Sequence, residues 1–169
     1  MVLDSLIAGV DTTTAGLVAT LYMLAENPDK QEILRKEVLS LSPKKSSKLT
    51  PQSLNSILYL KAVIKEALRL NPPFNGNVRS AGADLVLKGY QVPKDTVMVL
   101  ATHVISQQDQ HFERSSEFIP ERWLKENIDP KCPHATNSHP FAYLPFGFGP
   151  RMCIGRRFAE LEIEVLTDS

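Results

Sequence analysis

Cysteine is scarce in this chain: its 169 residues hold two, Cys132 and Cys153. Two thiols build neither a disulfide framework nor a self-contained zinc site, so the fold has to rest on an apolar core. An excess of charge of one sign is also lacking, with 19 Lys+Arg against 19 Asp+Glu. That balance excludes a bulk nucleic-acid binder, although a local basic patch fits inside it. Long apolar runs are missing too. The best stretch, Leu17–Leu24, is interrupted by Thr20 and falls short of the ~18 residues of a membrane span. What is present is 43% hydrophobic and 22% charged residues, too apolar for disorder and close to a soluble average. The length suits one ordinary domain with a real core.

Met1 leads into an apolar pattern with neither a basic region nor a small-residue cleavage site, so no signal or transit peptide is expected. A helical pattern is still running at Glu164-Val165-Leu166, and both ends read as parts of something longer. Residues 2–25 form one proline-free helical pattern. Asn27-Pro28-Asp29 supplies an N-cap, a first-turn proline and an acid for a second helix, which carries Leu34, Val38 and Leu41 on one face. Thr50-Pro51 repeats the start signal. A helix over 56–71 sets Leu60, Ile64, Ala67 and Leu68 on one face until Asn71-Pro72-Pro73 stops it.

The texture then changes. Leu85-Val86-Leu87 and Thr96–Leu100 flank a turn signal at Val92-Pro93-Lys94-Asp95, which predicts an antiparallel hairpin over 84–100. Six prolines between Phe118 and Pro150 exclude regular structure there, leaving a meander over 118–145. Long irregular segments in compact proteins are usually functional. Ser42–Lys48 is a Lys/Ser loop, and no internal repeat is visible. A last helix over 156–166, opening after Gly155, aligns Ile154, Phe158, Leu161 and Val165. The fold class is α+β, mainly α.

The sharpest feature is Phe146-Gly147-Phe148-Gly149-Pro150-Arg151-Met152-Cys153-Ile154-Gly155. A lone cysteine is most often a small buried hydrophobe. Here Cys153 precedes a helix, where free N–H groups and the helix dipole favour a thiolate. Gly147, Gly149 and Gly155 remove side chains that would keep a flat ligand off the backbone. Arg151 stands two residues before the sulfur, placed for an anionic group on such a ligand. With no Cys or His at ligand spacing, the thiolate points to a metal that brings its other ligands, and haem iron fits.

These ten residues resemble, at every fixed position, the Phe-x-x-Gly-x-Arg-x-Cys-x-Gly haem-binding loop of the cytochrome P450 superfamily. The resemblance implies haem b with Cys153 as axial iron ligand, Arg151 paired with a propionate and Phe146 near the sulfur. Gly147 and Gly155 shape the loop. Glu66-Ala67-Leu68-Arg69 by itself is most simply a surface ion pair. Beside Pro120-Glu121-Arg122-Trp123 it is similar to the family's Glu-x-x-Arg helix and the arginine that joins it, so Glu66, Arg69 and Arg122 are structural residues locking the meander. Ala8-Gly9-Val10-Asp11-Thr12-Thr13 resembles the family's oxygen-binding helix. That implies a proton relay through Asp11 and Thr12 to bound dioxygen, with Ala8 and Gly9 lining the pocket. Arg79, otherwise one more loop arginine, is placed like the arginine that binds a second propionate.

Lys61 and Lys65, with Arg156 and Arg157, look like the basic proximal surface of mitochondrial members, particularly arthropod ones. The implied partner is an acidic iron–sulfur ferredoxin. The implied location is the matrix side of the mitochondrial inner membrane, with membrane association through an N-terminal part beyond this sequence. The alternative is a microsomal member of the endoplasmic reticulum served by a flavin reductase. The implied activity is a haem–thiolate monooxygenase that puts one atom of dioxygen into a lipophilic substrate, steroid-like or xenobiotic. The competing reading is a non-catalytic truncated product that binds haem weakly or acts as an interaction module. Cys132, within Pro130-Lys131-Cys132-Pro133, is expected to be a surface thiol.

Overall fold

The computed structural model describes residues 2–41, 50–125, 132–135 and 138–168. The Lys/Ser stretch and residues 126–131 of the meander lie outside the described residues. Among the described residues there are six α-helices, α1 (Val2–Glu26), α2 (Pro28–Leu41), α3 (Pro51–Ser56), α4 (Leu58–Leu70), α5 (Thr102–Ser106) and α6 (Arg156–Asp168), and four short strands. The strands are β1 (Asn77–Ser80), β2 (Leu85–Leu87), β3 (Tyr90–Val92) and β4 (Val97–Leu100).

α4 is the centre, with nine of its 13 residues buried. The predicted face of Leu60, Ile64, Ala67 and Leu68 meets Leu24 of α1, Leu34 of α2, Phe118 and Ile163 of α6 in one core. Gly16 permits the α1–α6 approach: a Cβ there would lie 3.0 Å from Ile163 Cδ1.

The helix expected over 56–71 is preceded by a separate short one. Thr50 and Ser53 form a reciprocal capping box around Pro51, which starts α3, and the chain breaks at Ile57 before α4 begins. Ile57 offers α4 no side-chain cap. The Glu37 carboxylate of α2 takes that place, accepting the N–H groups of Tyr59 at 3.0 Å and Leu60 at 3.2 Å. An acid supplied from another helix satisfies orphan donors and suits the positive end of the dipole.

Two expectations need correction. The runs Leu85–Leu87 and Val97–Leu100 do not pair with each other. β2 pairs with β3, and β4 pairs antiparallel with β1, with Arg79 opposite Met98. Lys88 and Gly89 have φ of +47° and +86°, so the tight turn falls there. The prolyl turn after Val92 joins two separate ribbons instead. Second, α1 is long and apolar enough to cross a membrane, because its few polar residues are spread out and do not offset the apolar ones. Here α1 packs on α4 and α6 while its other side, with Leu6, Val10 and Val18, is exposed. The apolar row aligned on the last helix lies mostly outward, with Ile154, Phe158 and Leu161 exposed and Val165 half-buried, while Ile163 enters the core.

Candidate active site

Glu66 accepts five hydrogen bonds in the buried heart of the fold. Arg69 donates from Nε at 3.0 Å and Nη2 at 2.9 Å, and Arg122 from Nε at 3.0 Å. The Ile119 N–H follows at 3.1 Å and the Trp123 indole N–H at 2.8 Å. All three charged residues are at most 1% exposed. The guanidiniums spend their remaining donors on carbonyls at the end of α5 and in the loop that follows it. Arg69 reaches those of Ser106, Ser115 and Glu117, and Arg122 those of Glu113 and Arg114. Two cations thus organise a segment with no regular structure, and the single carboxylate compensates both of them. The loop also steadies itself. Asp109 accepts the Ser115 N–H at 2.8 Å, a bond that holds its carboxyl below the usual range.

Around this network lie aromatic rings. Trp123 packs on Tyr143 at 4.7 Å and on Phe112 at 5.9 Å. Tyr143 donates to the Lys65 carbonyl at 3.1 Å; burial, with Glu66 next in effect, pushes its phenol pKa up. A second polar cluster ties the turn to α2 and α4. Glu121 Oε1 accepts from Tyr59 Oη at 2.8 Å and from Lys30 Nζ at 3.0 Å. Burial, reinforced by Glu121, pushes the Tyr59 phenol up strongly.

The cysteine loop follows from this scaffold. A 3₁₀ turn covers Gly149–Arg151, and Gly147 and Gly149 have φ of +75° and +73°, the left-handed region that suits glycine. The Cys153 N–H donates to the Phe146 carbonyl at 2.8 Å, closing the loop. Cys153 is exposed and in no disulfide. The start of β1 abuts the loop, since a Cβ on Gly147 would lie 3.0 Å from Asn77 Oδ1. Arg151 is exposed, and Arg79 donates to the neighbouring Val78 carbonyl at 2.7 Å. A Cβ on Gly155 would be 3.9 Å from Cys153 Sγ, within ordinary contact distance.

On α1, Asp11 is exposed and Thr12 Oγ1 donates back to the Ala8 carbonyl at 2.6 Å. A Cβ on Gly9 would meet nothing within 4 Å. Among the described residues no hydrogen bond joins Asp11 to Thr12 or either one to the cysteine loop. The structure therefore unites Glu66, Arg69 and Arg122, and unites Phe146 with Cys153, but leaves the α1 residues as a separate group.

The four basic residues are not equivalent. Lys61, Lys65 and Arg156 line a groove of about 390 Å³ between α4 and α6, which Glu160 and Glu164 share. Lys61 Nζ makes long contacts of 3.3 and 3.4 Å to Asn55, while Lys65 Nζ sits 5.7 Å from the Trp123 ring centre. Arg156 pairs with Glu160 at 3.0 Å, and Arg157 is exposed. Burial pushes the Glu164 carboxyl up. Cys132 is partly buried, with Sγ 3.8 Å from the Pro133 carbonyl, and is not the surface thiol expected.

The sequence reading missed Glu37, Tyr143, Trp123 and Glu160. Only Glu160 had a local signal, its i, i+4 spacing from Arg156.

Among the described residues no group of three or more His, Cys, Asp or Glu could hold a metal ion. Cys153, exposed and in no disulfide, is a single soft donor that could serve as one ligand of a metal. Its sulfur stands on a closed loop beside the exposed apolar side chains of Met152 and Ile154. An exposed donor beside exposed apolar surface fits a flat macrocycle that carries its own metal.

The sequence profile of the cytochrome P450 family matches residues 1–168. The chain is 52% identical over 169 residues to a Drosophila melanogaster protein named probable cytochrome P450 12b2, mitochondrial, an alignment covering 98% of this chain and 32% of that one. It is 48% identical over 170 residues to cytochrome P450 CYP12A2 of Musca domestica, with the same coverage. A crystal structure of a cytochrome P450, CYP102L1, superposes with a TM-score of 0.87 at 31% identity, over 99% of this chain and 36% of the other. The chain belongs to the cytochrome P450 family. Within that family it is similar to mitochondrial members of arthropods, and it spans about a third of the length of these curated relatives.

Proposed function

We propose that the protein carrying this chain is a haem–thiolate monooxygenase that inserts one atom of dioxygen into a lipophilic substrate. The observation that carries the reading is the exposed Cys153 sulfur on a glycine-shaped loop whose backbone is pinned at 2.8 Å. Cys153 would be the axial iron ligand, Phe146 and Gly155 its neighbours, and Gly147 the turn that lets the loop close. Arg151 and Arg79 would swing to the propionates. Bound haem supplies dioxygen activation, favoured by the electron-rich thiolate.

The chain's own part is to hold that site and move protons. Thr12 and Asp11 sit one after the other on α1, and Thr12 back-bonds to Ala8 with its hydroxyl. A hydroxyl in that position passes on a proton when it rotates off the carbonyl. Ala8 and Gly9 leave the helix surface bare for the reacting atoms. Glu66, Arg69 and Arg122 hold the loop behind α4.

Electrons would come from an acidic iron–sulfur ferredoxin docking on the basic side chains of Lys61, Lys65 and Arg157; the relatives' names favour the mitochondrion as location, and the matrix side of the inner membrane is the place where such a ferredoxin would be met. The test is isotopic: with a chemically reduced ferredoxin and ¹⁸O-labelled dioxygen, product should contain one labelled oxygen. Unlabelled product, or turnover that needs no dioxygen, overturns the reading.

A further inference from the structure

The charged residues of the groove between α4 and α6 are engaged in different ways. Lys61 makes long contacts to Asn55 and faces the Glu164 carboxylate, whose charged form it favours. Arg156 is committed twice. Its Nε donates to Glu160 Oε1 at 3.0 Å, and its guanidinium carbon lies 5.4 Å from the centre of the Phe146 ring. Phe146 packs against the core on one side, and its carbonyl accepts the Cys153 N–H at 2.8 Å. A continuous set of contacts therefore runs from the Glu160 carboxylate through the Arg156 fork and the Phe146 ring to the backbone of Cys153.

We propose that Arg156 and Glu160 are positioning residues of the Cys153 loop, clamping the Phe146 ring, and are not part of the partner-docking surface. A planar guanidinium stacks on a ring and pairs edge-on with a carboxylate at once, which an ammonium cannot do. The spacing of four residues on α6 lets Glu160 fix the fork without strain. Arg156 is exposed, and an exposed cation over a ring contributes about 0.5–1 kcal/mol, so losing it should loosen the loop roughly two- to five-fold. The importance of the clamp for catalysis rests on the reading of Cys153 as the haem ligand; the clamp itself does not.

The experiment therefore has a haem-free arm. In the protein carrying this chain without haem, Arg156→Lys and Glu160→Gln should each speed amide hydrogen exchange at Cys153 by about two- to five-fold. The double variant should be no worse than either single, because both act on one clamp. Exchange in the buried α4 should not change. With haem loaded, the same variants should release it to excess apoglobin two- to five-fold faster, with affinity for an acidic iron–sulfur protein unchanged. Lys61→Gln should do the reverse. Unchanged Cys153 exchange in both variants overturns the clamp, as does loss of partner affinity in Arg156→Lys without a change in exchange. Faster Cys153 exchange with no thiolate-type spectrum in the loaded wild type leaves the clamp standing and removes the haem reading.

Discussion

Replacing Glu66 by glutamine changes one atom and removes the buried carboxylate that is hydrogen-bonded to both Arg69 and Arg122. The amide keeps one acceptor oxygen and turns an NH₂ toward donors. Of the five donors that Glu66 now satisfies, those on its Oε1 or those on its Oε2 lose their acceptor. Each donor left unsatisfied costs about 1–3 kcal/mol. Breaking a buried pair costs about 3–5 kcal/mol, and here one acid serves two cations, which puts the expected loss at about 4–5 kcal/mol. That is a large share of the about 5–15 kcal/mol that holds a domain together. The loop carbonyls that remain on Arg69 and Arg122 solvate the cations but do not neutralise them. Trp123 is the sole tryptophan and donates to Glu66, so its fluorescence reports the site directly during urea unfolding. The control is Glu32→Gln, opposite Arg35 in an exposed pair 3.5 Å long, which should cost below about 1 kcal/mol. If Glu66→Gln unfolds within about 1 kcal/mol of the parent at equal denaturant slope, the claim that this network organises the meander is refuted.

Other perturbations follow from the same geometry. Gly147→Ala places a Cβ at positive φ and presses it toward Asn77 Oδ1, so it should cost about 1–2 kcal/mol in urea unfolding; a neutral result contradicts the loop strain described. Tyr59→Phe removes one of the two donors to Glu121 Oε1 and should cost about 1–2 kcal/mol, with no loss if the phenol is dispensable. Burial raises the Glu164 carboxyl, so its charged form weakens the fold above the folded-state pKa, and the penalty disappears below the unfolded value. Glu164→Gln should thus stabilise at neutral pH, and the gain should fade as pH drops through the carboxylate range. A gain that persists in acid counts against this assignment.

The parts of the fold visible in the sequence were those with local signals. Proline and capping residues marked the starts of α2 and α3, and the 3.6-residue period identified the buried face of α4. The ten residues around Cys153 identified the loop because its chemistry is written in consecutive positions. Long-range choices were not readable. Nothing near Ile57 says that Glu37 will cap α4, and an apolar run cannot say whether β4 pairs with β2 or β1. The turn at Lys88-Gly89 was only half legible, since Gly89 suits a positive φ but Lys88 does not announce one, and the prolyl signal after Val92 outweighed it. The mostly outward row on α6 shows another limit. Periodicity says which residues share a face but not which face finds a partner, and Gly16 draws Ile163 inward instead.

The central claim is that Cys153 ligates haem iron in the protein carrying this chain, and the reduced carbon-monoxide difference spectrum tests it most directly. Haem-loaded protein should show a Soret band displaced strongly to the red, and Cys153→Ala should abolish it while leaving the far-ultraviolet circular dichroism of the helices intact. A band at the ordinary position in the parent protein, or a red-shifted band that survives Cys153→Ala, would contradict the account.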